Sequence, residues 1–316
     1  MSTQLYHSTR YYADIGQHVM PIRKFNLVRD AIEAEALPVS IAAPEPASDA
    51  QLLRVHTAEY VDAIRTGQPT ALAQSQKFPW SAGLAEAVRW TNGGCIDALR
   101  HALANGVAGN LASGFHHSHE KRGEGYCTFN GLVVAAEQMK AEGRLRRMLV
   151  LDMDLHYGNG TAFLLATRPD FYQLSIYGNW YDDNLAHRDV MARRTPDTEN
   201  AWSVPVPNGS GREVYLGILA ERLAGAIDRA RPDAILFQAG ADPYKEDPYS
   251  PLDLDHDALK ARDRFVFEAA KSRGIPVMWV LAGGYTTDVS KVVEVHLNTC
   301  REACAVYAQP ASPSGA

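Results

Sequence analysis

The sequence predicts an α/β fold built on a mainly parallel β-sheet with helices on both faces. Three observations predict it. Short apolar runs alternate with segments of helical periodicity. Neither an internal repeat nor a long linker divides the 316 residues, a length that one large α/β domain fills. Polar clusters fall where several of the apolar runs end, and open parallel sheets bind ligands at that edge.

Each element has its own signal. PVSIAAPEPASDA (38–50) and GQPTALAQSQKFPWS (67–81) read as loops. VAGNLAS (107–113) reads as a strand. GLVVAAEQMKAEG (131–143) is a helix, with apolar residues at helical spacing and a terminal glycine. MLVLDMD (148–154) is a strand, TAFLLATRP (161–169) opens a helix that stops at Pro169, and FYQLSI (171–176) is a strand. HRDVMARRTPDTEN (187–200) is polar and reads as exposed. DAILFQAG (233–240) and PVMWVLAGG (276–284) are strands, separated by the helix HDALKARDRFVFEAAKSRG (256–274). One domain over 1–307 and a flexible tail over 308–316 complete the division.

Composition narrows the function. A net charge of −6 with no basic run argues against a protein that grips nucleic acid through its phosphates. No apolar stretch approaches a membrane span, and MSTQLYHSTRYY lacks the apolar core of a signal peptide. Four cysteines, Cys95, Cys127, Cys300 and Cys304, are scattered without a CxxC pair, the pattern of thiols in a reducing cytoplasm. Nothing marks an oligomeric state.

The strand ends carry the chemistry. GFHHSH follows 107–113, DMDLH ends 148–154, GAD follows 233–240 and GGY ends 276–284. In LVLDMDLHYGNGT (149–161), Asp152, Asp154 and His156 alternate, so as strand residues they would share one side. Buried charge requires compensation. Asp154, His156 and Asp242 are the natural metal ligands: one imidazole and two carboxylates hold a divalent ion and leave a position for water. Zinc is the first choice, and the oxygen-rich set also suits Fe2+. Asp152 is a candidate to fix a histidine tautomer, or to bind a monovalent cation with Ser175; an isolated Asp here could equally be a cap.

His116 and His117 are a candidate general base and general acid, since imidazole titrates near neutrality. A surface pair is the plain alternative. His119 lies in the charged stretch SHEKRGEG and is expected to be solvated. Tyr285 follows two glycines that let the backbone approach a ligand, and its hydroxyl could stabilise an oxyanion. Tyr126 could line a narrow channel or simply pack in the core.

Together these residues resemble the metal-dependent histone deacetylase family, within the arginase/deacetylase fold. The matching stretches are VHTAEYVDAI (55–64), GFHHSHEKRGEGYCTFN (114–130), LDMDLHYGNGT (151–161), QAGADPYKEDP (238–248) and LAGGYTTD (281–288). VHTAEY, the compact GFHHS segment and the short GGY ending look most like the class IV branch and its bacterial relatives. The resemblance implies that Asp154, His156 and Asp242 bind the catalytic metal, and that His116 and His117 are the catalytic pair, with His117 the base. It implies that Asp152 supports His116 and, with Ser175, falls where the family holds a structural K+. It further implies that Tyr285 polarises the acetyl carbonyl and that Gly125 and Tyr126 form one tunnel wall. Arg23 and Lys24 fall near a basic residue at the foot of the pocket. Asn159 stands where some members place an Asp behind the catalytic His; an amide orients an imidazole without stabilising its charged form as an acid would. The other tunnel wall belongs to 177–202, with Trp180 and Tyr181 as candidates.

The implied activity is hydrolysis of an N-acetyl or longer N-acyl group from an acylated lysine peptide or a small acetylated amine. Two rivals stand beside it. An arginase-like ureohydrolase uses two manganese ions and paired ligands in DxHxD, whereas this chain has DxDxH. A non-catalytic acyl-lysine binding protein would be expected to lose ligands, base or tyrosine.

Overall fold

The computed structural model describes residues 3–178 and 198–308. The candidates Trp180 and Tyr181, most of the segment 187–200 and the tail from 309 onward lie outside the described residues. Eight strands form one sheet: β1 (Thr3–Tyr6), β2 (Val39–Ala42), β3 (Val107–Asn110), β4 (Met148–Asp152), β5 (Phe171–Tyr177), β6 (Ala201–Pro205), β7 (Ala234–Ala239) and β8 (Val277–Leu281). Their spatial order is β2-β1-β3-β8-β7-β4-β5-β6, and every pairing is parallel. All carboxyl ends therefore lie along one edge. The four polar clusters follow β3, β8, β7 and β4, which are neighbours at the middle of the sheet although they are remote in sequence.

Both faces are covered, which explains the continuous apolar runs. Alternate residues of each central strand enter opposite layers. Leu149, Leu151, Ile235, Phe237, Val277 and Trp279 pack in one core. Met148, Val150, Ala234, Leu236, Met278 and Val280 pack in the other. The first core is closed by α1 (Lys24–Ala34), α8 (Arg212–Ala230), α9 (His256–Ser272) and α10 (Val289–Tyr307). The second is closed by α3 (Ala58–Thr66), α5 (Ala82–Asn105) and α6 (Gly131–Ala141). Short helices α2 (Asp49–Leu52) and α4 (Thr70–Ala73) sit in connections, and α7 (Asn159–Leu165) follows the loop after β4. Among the described residues no helix is long and apolar enough to cross a membrane.

Two readings need correction. Residues 39–42, taken within a loop, form the edge strand β2 beside β1. The strand is four residues long and half-exposed, so it lacks the apolar run that marks the central strands. Strand β4 ends at Asp152 rather than Asp154, so Asp154 and His156 do not alternate on a strand. They sit in an irregular loop that the sheet releases once Met153 donates its N–H to Gln238 O at 3.1 Å.

The loop between β3 and α6 carries the histidine pair, and His56 anchors it from outside. His56 is buried. Its Nε2 accepts the Asn130 N–H at 3.1 Å, and its Nδ1 lies 2.9 Å from the His119 carbonyl. A neutral ring with its proton on Nδ1 satisfies both bonds. Burial pushes the His56 pKa from 6.5 down to about 3. The unfolded chain therefore takes up this proton below about pH 6.5 and the native chain only near pH 3, so stability falls as the pH drops through that window. We expect His56→Gln to lower the unfolding free energy at pH 7 by about 1–3 kcal/mol. Urea titrations at pH 7 and pH 4 should show the gap to wild type narrowing at the lower pH, since only wild type carries this proton linkage.

Candidate active site

The carboxyl ends of β4 and β7 bring three donors together. Asp154, His156 and Asp242 are buried, and their ligating atoms all lie within 4.8 Å of one another. His156 Nδ1 is 3.1 Å from both Asp154 Oδ1 and Asp242 Oδ2. Backbone amides hold the carboxylates in place: Leu155 N–H donates to Asp242 Oδ1 at 2.9 Å, and Gly283 N–H to Asp154 Oδ2 at 2.8 Å. Gly283 can come this close only because it has no side chain; a Cβ there would stand 1.8 Å from Asp242 Oδ2.

Charge in this cluster asks for a cation. Burial, then the Asp154 carboxylate, pushes Asp242 up to about 7. Burial disfavours charge on His156, yet the two carboxylates outweigh it and raise the imidazole to about 10. Two buried acids and an inward-facing imidazole nitrogen are the donor set of a divalent ion with an open coordination position, so the residues fit a metal. Among the described residues this is the single group of three such side chains that converges.

The histidine pair stands against this cluster. The rings of His116 and His117 lie 3.9 Å apart, and His117 is 6.0 Å from His156. Both are buried, which corrects the plain surface-pair reading. His116 Nδ1 meets Asp152 Oδ2 at 2.8 Å, and its Nε2 lies 3.7 Å from Asp154 Oδ1. Burial works against charge on His116, but Asp152 and Asp154 outweigh it and its pKa rises. His117 Nδ1 meets Asn159 Oδ1 at 2.6 Å. Burial, followed by the neighbouring imidazoles of His116 and His156, holds His117 well below the ordinary value. The two histidines are thus driven in opposite directions.

Asp152 is the β4 partner of Ser175 on β5 and of Gln238 on β7. Gln238 in turn accepts the Gly114 N–H at 3.2 Å, tying the histidine loop to the sheet. Tyr285 lies with its ring 6.0 Å from His156 and 6.5 Å from Tyr126. Burial, then Asp242 and Asp154, raises its hydroxyl well above 10, so it stays a donor. Tyr126 stacks on Phe78 at 5.5 Å with His18 edge-on at 4.8 Å. The turn Glu124–Cys127 has positive φ at both central residues, Gly125 (+52°) and Tyr126 (+65°), as a type I′ turn requires. It presses Gly125 against His117, where a Cβ would lie 2.5 Å from the ring. Phe115, directly before the pair, is also left-handed at φ 60°; such residues cost of order 1–3 kcal/mol each.

Of the two basic candidates, the structure buries Lys24 and leaves Arg23 exposed. Lys24 Nζ donates to the Ala282 carbonyl, and burial brings its pKa down to about 8 against the pull of Asp242, Asp154 and Asp247. His119 is buried rather than solvated, with Nε2 3.2 Å from Glu124 Oε2 and the Phe163 ring edge-on at 5.1 Å.

Other contributors carried no obvious mark. Asp247 Oδ2 accepts the Tyr285 N–H at 2.7 Å and Oδ1 the Tyr249 N–H at 3.1 Å, fixing the tyrosine. Buried Arg262 donates to the carbonyls of Gly240 at 2.7 Å and Met153 at 3.3 Å, shortly before the metal-capable acids Asp242 and Asp154, and pairs with buried Asp263. A signal for Arg262 and Asp263 existed: they fall on the stripe Ala258, Leu259, Val266, Phe267 and Ala270 that α9 buries.

Residues 18–300, which contain the whole site, match the family model described as the histone deacetylase domain. An uncharacterised protein of Picosynechococcus sp. is 30% identical over 294 residues, covering 92% of this chain and 94% of that protein. A histone deacetylase-like amidohydrolase of Pseudomonas aeruginosa is 31% identical over 249 residues, 76% of this chain but 65% of that longer protein. In structure, an acetylpolyamine aminohydrolase from Burkholderia pseudomallei aligns with a TM-score of 0.77 at 19% identity, over 96% of this chain and 99% of that one. At that identity the likeness is one of fold.

We expect the purified chain to retain about one divalent ion after dialysis, as a three-ligand site with an open position does. Asp154→Ala or Asp242→Ala should lose it with an unchanged circular dichroism spectrum. Metal analysis checks both.

Proposed function

The chain belongs to the histone deacetylase family, and on that footing we propose that it is a metal-dependent deacylase. It hydrolyses an acylated lysine or a related acylated amine to the free amine and a carboxylate. The observation that carries this reading is the buried histidine pair: two adjacent imidazoles pushed apart in pKa, beside a three-donor cluster. Titratable neighbours driven apart are the mark of an acid and a base with separate roles.

In this reading Asp154, His156 and Asp242 hold the ion, which when bound lowers the pKa of a water and polarises the acyl carbonyl. Zinc is the favoured ion and Fe2+ the alternative. His117 commits Nδ1 to Asn159 and offers Nε2 as the base that takes the proton of the attacking water. His116, held by Asp152 and raised above its ordinary pKa by the carboxylates of Asp152 and Asp154, supplies a proton to the departing amine nitrogen. Tyr285 keeps its hydroxyl proton and donates to the carbonyl oxygen as negative charge grows there. Tyr126 and Gly125 flank the acyl chain on one side. Asp152 and Ser175, paired across β4 and β5, suit a structural K+. A cytoplasmic setting fits the four free, buried thiols.

Metal-loaded protein should release carboxylate from an acetyl-lysine peptide, an acetylpolyamine or a longer-chain acyl peptide, and the best of the three sets the substrate class. Tyr285→Phe should fold normally and lose about 10²–10³ in kcat. Binding of these substrates without turnover, in both zinc- and iron-loaded protein, would replace the enzyme with an acyl-amine binding protein.

A further inference from the structure

Behind His117 and Asn159 stand Glu124, Arg122 and His119, which the proposed chemistry leaves unused. Asn159 gives Oδ1 to His117 Nδ1 at 2.6 Å, and its Nδ2 lies 3.2 Å from Glu124 Oε1. Glu124 Oε2 is met by Arg122 Nη2 at 3.0 Å and by His119 Nε2 at 3.2 Å. His119 Nε2 is also 3.3 Å from Asn159 Nδ2. The carboxylate is nearly sealed, with 12% of its side chain exposed. The Glu124–Cys127 turn that presses Gly125 onto the His117 ring thus also delivers this carboxylate to Asn159.

An amide has one donor end and one acceptor end, and an ionised carboxylate only accepts. With Glu124 on one side of Asn159, the NH₂ group faces the carboxylate and the oxygen faces His117. The reversed amide would set oxygen against oxygen. An oxygen facing His117 Nδ1 demands a proton on that nitrogen, which leaves the lone pair on Nε2. We infer that Glu124 is a positioning residue for the base: through Asn159 it fixes the tautomer of His117. It does so without placing a charge directly on the imidazole. His116 touches a carboxylate itself, at 2.8 Å from Asp152, whereas His117 is separated from the Glu124 carboxylate by the Asn159 amide.

The inference rests on the deacylase reading with His117 as base, so its test reads more than turnover. Metal-loaded wild type, Glu124→Ala and the double variant Glu124→Ala/Asn159→Asp are compared in kcat, in KM and in the side-chain ¹⁵N spectrum of His117. In Glu124→Ala we expect kcat to fall about tenfold, KM to stay within about twofold, and the proton to be shared between the two ring nitrogens. The double variant puts a carboxylate directly on Nδ1 and should return kcat to within about threefold of wild type, with the proton back on Nδ1. A purely structural Glu124 would not be rescued this way. An unchanged tautomer and kcat in Glu124→Ala, or a loss that Asn159→Asp leaves unrepaired, overturns the inference. Were wild type inert on every acylated amine, the deacylase reading would fail, and the ¹⁵N comparison alone would still decide what Glu124 does.

Discussion

Three carboxylates, Asp152, Asp154 and Asp242, are withdrawn from solvent at the ends of two neighbouring strands, β4 and β7. An unpaired buried charge is far more expensive than any single packing contact in the molecule. Much of the surrounding structure can be read as compensation. Asp152 is met by His116, and backbone amides of residues 154, 155, 156 and 283 point at the three acids. What the amides leave over, a divalent ion can neutralise.

The same constraint shapes the layer beneath. The loops after β4 and β8 aim amides at the acids, and carbonyls of these loops and of the loop after β7 are taken up by buried cations. Arg262 takes up two of these, those of Met153 and Gly240, and its charge is balanced by Asp263, which also accepts the Thr299 hydroxyl at 2.6 Å. Lys24 does the same for Ala282 before the glycine pair. The donor geometry depends on these residues, because a loop carbonyl without a partner would pull the backbone out of place.

On the opposite side, the loop between β3 and α6 is held from several directions. Gln238 anchors its start, His56 and Asn130 its end, and the Glu124–Cys127 turn lies against the His117 ring. Three residues in it take left-handed backbone, two of them with side chains, Phe115 and Tyr126. Such strain persists only where the surroundings over-determine it. Those anchors are that surplus, and what they secure is the position of two imidazoles relative to the acids.

By itself the sequence determined the α/β class, the central strands and the residues that crowd their ends. These are local signals: a continuous apolar run marks a strand covered on both faces, and a polar residue at its end stands out against it. Asp154, His156, Asp242, the histidine pair and Tyr285 were legible for that reason. The edge strand β2 was not, since a half-exposed strand of four residues has no such run. Only the tertiary structure decided that β3, β8, β7 and β4 lie side by side, because their spatial order is not their order in the chain. The same holds for the burial of Lys24 rather than Arg23, for Arg262 beneath the loops, and for the Asn159 amide against His117 Nδ1. Each depends on which group faces which across the sheet edge, and a hydrogen bond between residues 35 positions apart, such as Asn159 to Glu124, leaves no periodicity to read.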